Sequence, residues 1–503
     1  LSQRDNTPPS ILYVNNGSGV FTAKNLKIPS LKGLSSFSIA DINKDKLPDI
    51  FIGQLWSEYP ASGPDLLPSF LLLNNGSNDF IDNTSSMQNR QSRRSRGSEW
   101  VDFDNDGDLD LFITNYLLEH DELWQNDGNG KFTNVIDAKR IEQIVTTNPA
   151  YYNHGTGCDW ADYDNDGDMD LLLTQFMHPA LAPNGFEGTT VYKNTGAPNY
   201  TFQTSWNKNT YSDGSGIGYE ETHSGGSFGD VNNDGLPDII LPVYYGCRFA
   251  DFYIQNQNHT FSNATFDWGL EGITSGEDAS FADFDNDGRL DLAFANNGLF
   301  RLFQNVAPIQ NSSVSITLLS ASGNRNGIGS RVTVFAGGKK YMQEVTSGRG
   351  QRMQKPTTLH FGIGDAQKVD SVLVRWSSKT TQETFINVGK NSLILLEEGK
   401  GSTSTGIDKL TSDIPHHSWL DVPVPNPINQ SATIRLGIAT QGILHVDVVS
   451  PNGVNKSHLL SLNNSSAGEY LLTWDCSALE SGVYYIRMVT ENGVYVQKAI
   501  VIH

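Results

Sequence analysis

The chain has 503 residues, enough for several domains, and a formal net charge of −21. Such acidity argues against a nucleic-acid or anionic-membrane partner, and no apolar run approaches the roughly 20 residues that a membrane-spanning helix needs. Three cysteines are too few for a disulfide scaffold, and they leave open both a Cys158–Cys247 bridge and two separately packed thiols.

From the N-terminal end, Leu12-Tyr-Val-Asn-Asn-Gly17 with Phe21 predicts a β-hairpin, because Asn-Gly between alternating apolar residues favours a tight turn. The pattern returns as Leu71-Leu-Leu-Asn-Asn-Gly76 with Phe80, Leu123-Trp-Gln-Asn-Asp-Gly128 with Phe132, and Val191-Tyr-Lys-Asn-Thr-Gly196 with Phe202. Phe252-Tyr-Ile-Gln-Asn256 with Phe261 follows, and Arg301-Leu-Phe-Gln-Asn305 is a truncated last copy. Between successive copies stands an acidic loop. The five read Asp41-Ile-Asn-Lys-Asp-Lys-Leu-Pro-Asp49, Asp102-Phe-Asp-Asn-Asp-Gly-Asp-Leu-Asp110, Asp162-Tyr-Asp-Asn-Asp-Gly-Asp-Met-Asp170, Asp230-Val-Asn-Asn-Asp-Gly-Leu-Pro-Asp238 and Asp283-Phe-Asp-Asn-Asp-Gly-Arg-Leu-Asp291.

Oxygen side chains at positions 1, 3, 5 and 9 of such a loop suit a hard cation, and position 7 can add its backbone carbonyl. The expected ligands are Asp41, Asn43, Asp45 and Asp49 in the first loop, and Asp102, Asp104, Asp106, Asp108 and Asp110 in the second. The third offers Asp162, Asp164, Asp166, Asp168 and Asp170, and the fourth Asp230, Asn232, Asp234, Leu236 and Asp238. The fifth offers Asp283, Asp285, Asp287, Arg289 and Asp291. Position 6, glycine in four loops, is expected at positive φ; Lys46 takes that place in the first loop, which is the weakest match. The loops hold 3, 5, 5, 3 and 4 acidic residues, 20 of the chain's 56, so about five calcium ions would bring the charge to about −11. The acidity is therefore largely that of metal sites. Calcium has two readings here: a device that rigidifies every loop, or part of a ligand-binding surface.

The loops begin 61, 60, 68 and 53 residues apart. Each unit reads as four short antiparallel strands, the pattern of a propeller blade, and five units plus the first hairpin suit five to seven blades. The hairpin at 11–22 is expected to close the ring by completing a blade begun at the other end. The pattern changes near residue 311. Ser315-Ile-Thr-Leu-Leu, Arg331-Val-Thr-Val-Phe, Ser371-Val-Leu-Val-Arg-Trp376 and Ser392-Leu-Ile-Leu-Leu predict a second β block. Gly399 to Ser418 reads as a linker, and residues 419–503 carry the alternation of a small sandwich.

Other residues invite a functional reading. His154 and His223 hold matching places before the third and fourth loops, near Tyr151 and Glu221. They could serve a polysaccharide lyase as acid and base, but side chains lining a propeller channel more simply meet water. The run Gln91-Ser-Arg-Arg-Ser-Arg96 reads as a solvated basic loop or a patch for an acidic partner. The insertions Trp56–Pro64, Thr146–Tyr152 and Gln175–Glu187, aromatic and Pro-rich, are the expected surfaces for a glycan or protein ligand.

The acidic loop, with Phe281-Ala-Asp283 before it and Asp-Leu after it, resembles the FG-GAP/VCBS repeat of integrin α-chain heads and bacterial surface propellers. Gly323-Asn-Arg-Asn-Gly-Ile-Gly-Ser-Arg-Val332, Glu344-Val-Thr-Ser-Gly-Arg-Gly350, Leu359-His-Phe-Gly-Ile-Gly364 and Val374-Arg-Trp376 resemble the ASPIC/UnbV domain that follows such propellers, as in cartilage acidic protein 1. Ser377-Ser378-Lys379 stands where that family usually has Pro-Ser-Gly. The tail, with Pro425-Asn-Pro427, Ser450-Pro-Asn-Gly453, Trp474-Asp475 and Ser481-Gly-Val-Tyr-Tyr-Ile-Arg487, resembles the type IX secretion sorting domain of Bacteroidetes. These resemblances imply an all-β protein: a calcium-loop β-propeller (1–310), a β-rich ASPIC/UnbV domain (311–398), a linker (399–418) and an immunoglobulin-like β-sandwich (419–503).

They also imply export to the outer surface of a Gram-negative bacterium or beyond it, and the start at Leu1 fits a mature form. The expected work is adhesion, or assembly into an extracellular filament through a retained tail. No catalysis, no nucleic-acid partner and no transmembrane segment are expected. A lectin-like propeller and, behind it, a polysaccharide lyase are the alternatives.

Overall fold

The computed structural model describes residues 11–502, apart from 26–30, 56–66, 142–153, 177–187, 207–222, 245–248, 378–381, 400–404, 412–416 and gaps of one or two residues. The described chain is all-β, with one four-residue helix, Ile136–Lys139, and one 3-10 turn.

Each acidic loop joins the first two strands of an antiparallel meander. The first meander runs through Leu34–Ala40, Asp49–Gln54, Phe70–Asn74 and Phe80–Asp82. The second runs through Ser95–Val101, Asp110–Asn115, Glu122–Asn126 and Phe132–Asn134. The third comprises Gly155–Ala161, Asp170–Gln175, Thr190–Asn194 and Phe202–Trp206, and the fourth Ser227–Gly229, Asp238–Leu241, Asp251–Gln255 and Phe261–Asn263. The fifth has three strands, Gly276–Ala282, Asp291–Asn296 and Leu299–Phe303.

One register serves all five. The residue before the loop pairs with the ninth loop residue: Ala40 with Asp49, Val101 with Asp110, Ala161 with Asp170, Gly229 with Asp238 and Ala282 with Asp291. The first strands of successive meanders lie side by side. Rings fill the space between neighbouring sheets, as where Phe112 meets Trp160 at 5.7 Å and Phe252 meets Phe281 at 6.4 Å. Burying a side chain of that size contributes roughly 2–3 kcal/mol.

The hairpin, Ile11–Asn15 with Phe21–Asn25, differs from expectation: its strands pair only with each other. The third strand of the fifth meander leaves Leu299, Phe300 and Leu302 more than half exposed, whereas Leu71, Leu123 and Val191 at the matching place are buried. Among the described residues the ring is not closed by strand pairing. The chain leaves the fifth meander through Val306-Ala-Pro308 and enters the second block directly.

That block packs two sheets together. One holds Leu359–Gly364, Ser312–Leu319 and Ser392–Glu397; the other holds Lys339–Glu344, Arg331–Ala336, Val369–Arg375 and Gln382–Phe385. Its core is continuous with that of the meanders: Trp100, Leu109 and Leu111 belong to one apolar cluster with Val314, Val374 and Trp376. In the stretch read as a linker, Thr405–Thr411 is a strand, paired on one side with Ser392–Glu397 and on the other with Gly468–Asp475. Gly, Ser and Thr gave no alternation to read; the strand is defined by partners on both edges. The first sheet thereby continues into Ser431–Ile438 and Trp419–Leu420. Opposite them a second sheet, Asn455–Ser465, Gly442–Val449, Gly482–Thr490 and Gly493–Val501, encloses a core around Trp474.

Candidate metal centres

The same network of hydrogen bonds shapes the five loops. The first carboxylate accepts from the amide at position 6: Lys46 to Asp41 at 2.8 Å, Gly107 to Asp102 at 3.1 Å, Gly167 to Asp162 at 3.0 Å, Gly235 to Asp230 at 2.8 Å and Gly288 to Asp283 at 2.9 Å. The position 5 carboxylate accepts from position 7, as Asp106 does from Asp108 and Asp166 from Asp168. Position 6 lies at positive φ as expected, 95° at Gly107 and 102° at Gly167. Position 4 does too, which the sequence reading missed: Lys44, Asn105, Asn165, Asn233 and Asn286 all sit near +60°. Asparagine tolerates that conformation best after glycine, and its recurrence at position 4 was the available signal.

The ninth residue does more than close a shell. Its Oδ1 accepts the amide of the residue at, or just past, the end of the third strand: Asn74 to Asp49, Asn126 to Asp110, Asn194 to Asp170, Gln255 to Asp238 and Asn305 to Asp291, all at 2.7–2.8 Å. The amide side chain there reaches back to the preceding meander. Asn126 donates to Ile42 O at 3.0 Å, Asn194 to Phe103 O at 2.9 Å, Gln255 to Tyr163 O at 3.0 Å and Asn305 to Val231 O at 2.9 Å. What reads as a turn signal is thus also the clasp between neighbouring repeats. The position 4 amides add a second link between loops, from Asn165 to Gly235 O and from Asn233 to Gly288 O.

Three loops bring carboxylate oxygens within 4.8 Å of one another: Asp102, Asp104 and Asp110; Asp162, Asp164 and Asp170; and Asp283, Asp285 and Asp291. The first and fourth loops carry the same fold with Asn43 and Asn232 at position 3. At position 7 the side chains of Asp108 and Asp168 turn to neighbouring loops, meeting Lys44 and Asn105, and Arg289 reaches Asp287.

The donor set fits a hard cation. Asp102 Oδ1, Asp110 Oδ2, Asp162 Oδ1 and Asp164 Oδ1 are buried oxygens with no hydrogen-bond partner, a costly state for a carboxylate, although the other oxygens of Asp102 and Asp164 pair with Arg375 and Lys193. Burial, reinforced by neighbouring carboxylates, pushes Asp162 and Asp230 up to about 8 and Asp283 to about 7; it holds Asp110, Asp170 and Asp238 well above the usual range. Without metal, the folded chain retains protons that the unfolded chain releases near pH 3.8. Stability of the metal-free protein therefore falls as pH rises from about 4 to 8. Melting of metal-stripped protein is expected to have the higher midpoint at pH 5.5 than at pH 8, and calcium should reverse that order because it needs deprotonated ligands. Equal midpoints without metal would contradict it.

The second block is seated on this loop face. Arg331 donates to Asp102 O at 2.8 Å and pairs with Glu344 at 2.9 Å, while Glu344 accepts the Asp102 amide at 3.0 Å; Arg375 pairs with Asp102. Lys340 reaches Asp166 O at 2.8 Å and Ser313 reaches Gly288 O at 2.9 Å. His360, buried and held neutral with a pKa near 4, meets Asn233 Oδ1 at 2.8 Å. Sequence reasoning missed these residues: nothing in the spacing of Arg331, Lys340, Glu344, His360 and Arg375 points to partners about 130–270 positions away, and nothing marks Ser313 as a partner of Gly288, 25 positions before it.

Other expected sites resolve differently. His223 is buried, its Nδ1 2.7 Å from Thr189 Oγ1, and His154 is buried against the Tyr116 ring at 5.1 Å. Neither faces open water. In the basic run, Arg94 pairs with Glu119, Arg93 lies 3.7 Å from Glu122, and Arg96 is sandwiched between Tyr116 and Phe176. The run is neither a solvated loop nor a free patch. Cys158 is a buried free thiol. Tyr151, Glu221, Cys247, Trp56–Pro64, Thr146–Tyr152 and residues 177–187 lie outside the described residues.

Fold and loops together define an all-β, repeat-built protein with acidic clusters able to hold metal ions. More particularly, the chain carries FG-GAP-like repeats, matched over 102–173 and 230–294, an ASPIC and UnbV domain over 320–403, and a secretion system C-terminal sorting domain over 424–502. The last indicates export to the cell surface or the extracellular space. No curated protein matches the chain. Among solved structures, the crystal structure of a tetra-tandem repeat in the extending region of a large adhesion protein is 11% identical over 95% of this chain and 93% of that one. Its TM-score of 0.14 is too low to carry an argument. No helix among the described residues is long and apolar enough to cross a membrane.

Proposed function

We propose that this is an exported, calcium-binding, non-enzymatic scaffold of the outer cell surface, working in adhesion or as a subunit of an extracellular assembly. The repeats form a propeller-like fan that takes up about five calcium ions, one per acidic loop. The observation that carries this reading is the seating of the second block on the second to fifth loops. A metal face covered by its own chain serves cohesion better than ligand capture, so the ions are structural and partners bind elsewhere. The insertions are the candidate surfaces for a glycan or protein ligand, and the C-terminal sheets, with an immunoglobulin-like sandwich arrangement, are the candidate surface for self-association.

The buried settings of His154 and His223 support a packing role over acid–base catalysis. Negative-stain electron microscopy of the intact, calcium-loaded chain tests the assembly role, and filaments or regular chains of particles are expected. Isolated particles at every concentration would overturn assembly and leave adhesion through the insertions.

A further inference from the structure

Counting back from each acidic loop, the fifth residue upstream is Ser36, Gly97, Gly157, Gly225 or Asp278, and the third is Ser38, Glu99, Asp159, Ser227 or Ser280. These two rows lie on the first strands of the meanders, which stand side by side, except that Gly225 falls two residues before its strand. They leave a cleft with room at the glycines and acidic side chains at Glu99, Asp159 and Asp278, all at most 2% exposed.

The described residues of a single arm of the second block, Ser347–Gly350 and Met353–Lys355, fill it and touch every meander. Ser347 Oγ accepts the Ile39 amide of the first at 3.1 Å. Ser347 and Gly348 pair in register with Trp100 and Glu99 of the second, and Gly350 O accepts the Ser98 amide at 3.3 Å. The Gly350 amide donates to Cys158 O of the third at 3.0 Å. Arg349, fully buried, donates to Gly226 O beside the fourth and pairs with Asp278 of the fifth at 2.9 Å. Lys355 then pairs with Asp159, lies 3.8 Å from Glu99, and donates to Trp160 O at 2.7 Å.

The fit is tight on both sides. A Cβ at Gly97 would stand 2.7 Å from Gly350 O, one at Gly157 3.2 Å from Gly350 Cα, and one at Gly348 2.4 Å from Ser98 O. Two cations meet three carboxylates, and each would be a costly orphan without the other.

We infer that the inner face of the repeats is a binding site for a Ser-Gly-Arg-Gly arm bearing a guanidinium and an ammonium, and that this chain's own Ser347–Gly350 with Lys355 is its resident ligand. The second block is then the hub that holds the meanders in register, in place of strand pairing around a closed ring. This role is independent of whether the loops bind metal.

Hydrogen exchange on the full chain, followed by peptide, tests it. In the unaltered protein the amides of Gly350 and Ser98 should be as protected as the most protected strand amides; exchange at surface-loop rates would overturn the inference. The paired substitution Arg349→Met and Lys355→Met should speed exchange roughly tenfold or more across Gly155–Ala161, Ser227–Gly229 and Gly276–Ala282. Gly482–Thr490 in the C-terminal sheet should stay unchanged. Exchanging the charges, Arg349→Asp with Asp278→Arg, should recover part of the protection that Arg349→Asp alone loses. Unaltered exchange in all three inner strands of the double variant would show that the arm is a covering loop and not a hub. Should that variant fail to fold, the unaltered protein's Gly350 and Ser98 amides decide the matter.

Discussion

Stripping calcium is expected to lower the melting midpoint by at least about 10 °C, and adding it back in excess should restore the midpoint. A ligand that binds only the folded state stabilises by about 2.7 kcal/mol at a hundred times its Kd, and each loop that binds adds its own share. Carboxylates of the second, third and fifth loops, buried or half-buried, lie within 4.8 Å of one another in each loop, with four orphaned oxygens in the second and third. The loss should be largest at pH 8, where Asp162 and Asp283, raised by burial to about 8 and about 7, give up their protons. It should extend beyond the loops, because Asp102 also anchors Arg331 and Arg375 of the second block. Differential scanning calorimetry with and without chelator is the check, and superimposable traces would remove metal from the account.

Gly362→Ala should be the most damaging conservative change in the second block, costing about 3 kcal/mol or more. A Cβ at Gly362 would lie 1.8 Å from Asp230 Oδ2 and 2.6 Å from the Asn233 backbone. The fourth loop has little freedom to retreat. Asn233 sits at positive φ, its carbonyl accepts the Gly364 amide at 2.9 Å, and its side chain is held by His360. Relief must come from lifting the block or deforming the loop, so calcium affinity at Asp230 should fall as well. Gly482→Ala is the control, since its nearest neighbour stands 3.8 Å away and a change well under 1 kcal/mol is expected. Urea unfolding of both variants compares them directly; equal stability would mean that the block does not press on the fourth loop as described.

Much of this fold is legible in the sequence. Asp at positions 1, 5 and 9 and glycine at 6 impose one local geometry wherever they recur, so the loops and their flanking strands could be placed from the chain alone. Asn126, Asn194 and Asn305 were visible only by half, because an asparagine before a turn looks the same whether or not its side chain clasps the neighbouring repeat. Pairings between distant segments left no trace. Arg331 with Asp102 and Arg349 with Asp278 join residues far apart in the chain, and a lone arginine among glycines carries no mark of its partner. Repeat symmetry alone predicts ring closure through the first hairpin, whose strands instead pair only with each other. The fifth meander departs from it because the chain passes into the second block before a fourth strand can form.

The most direct test is a calcium count by native mass spectrometry on metal-stripped protein titrated with calcium. The account predicts stepwise uptake to about five ions, with Asp102→Asn, Asp162→Asn and Asp283→Asn each losing one of the tightest. No uptake at millimolar calcium, or full uptake by all three variants, would contradict the assignment of the acidic loops as the metal centres that hold this fold together.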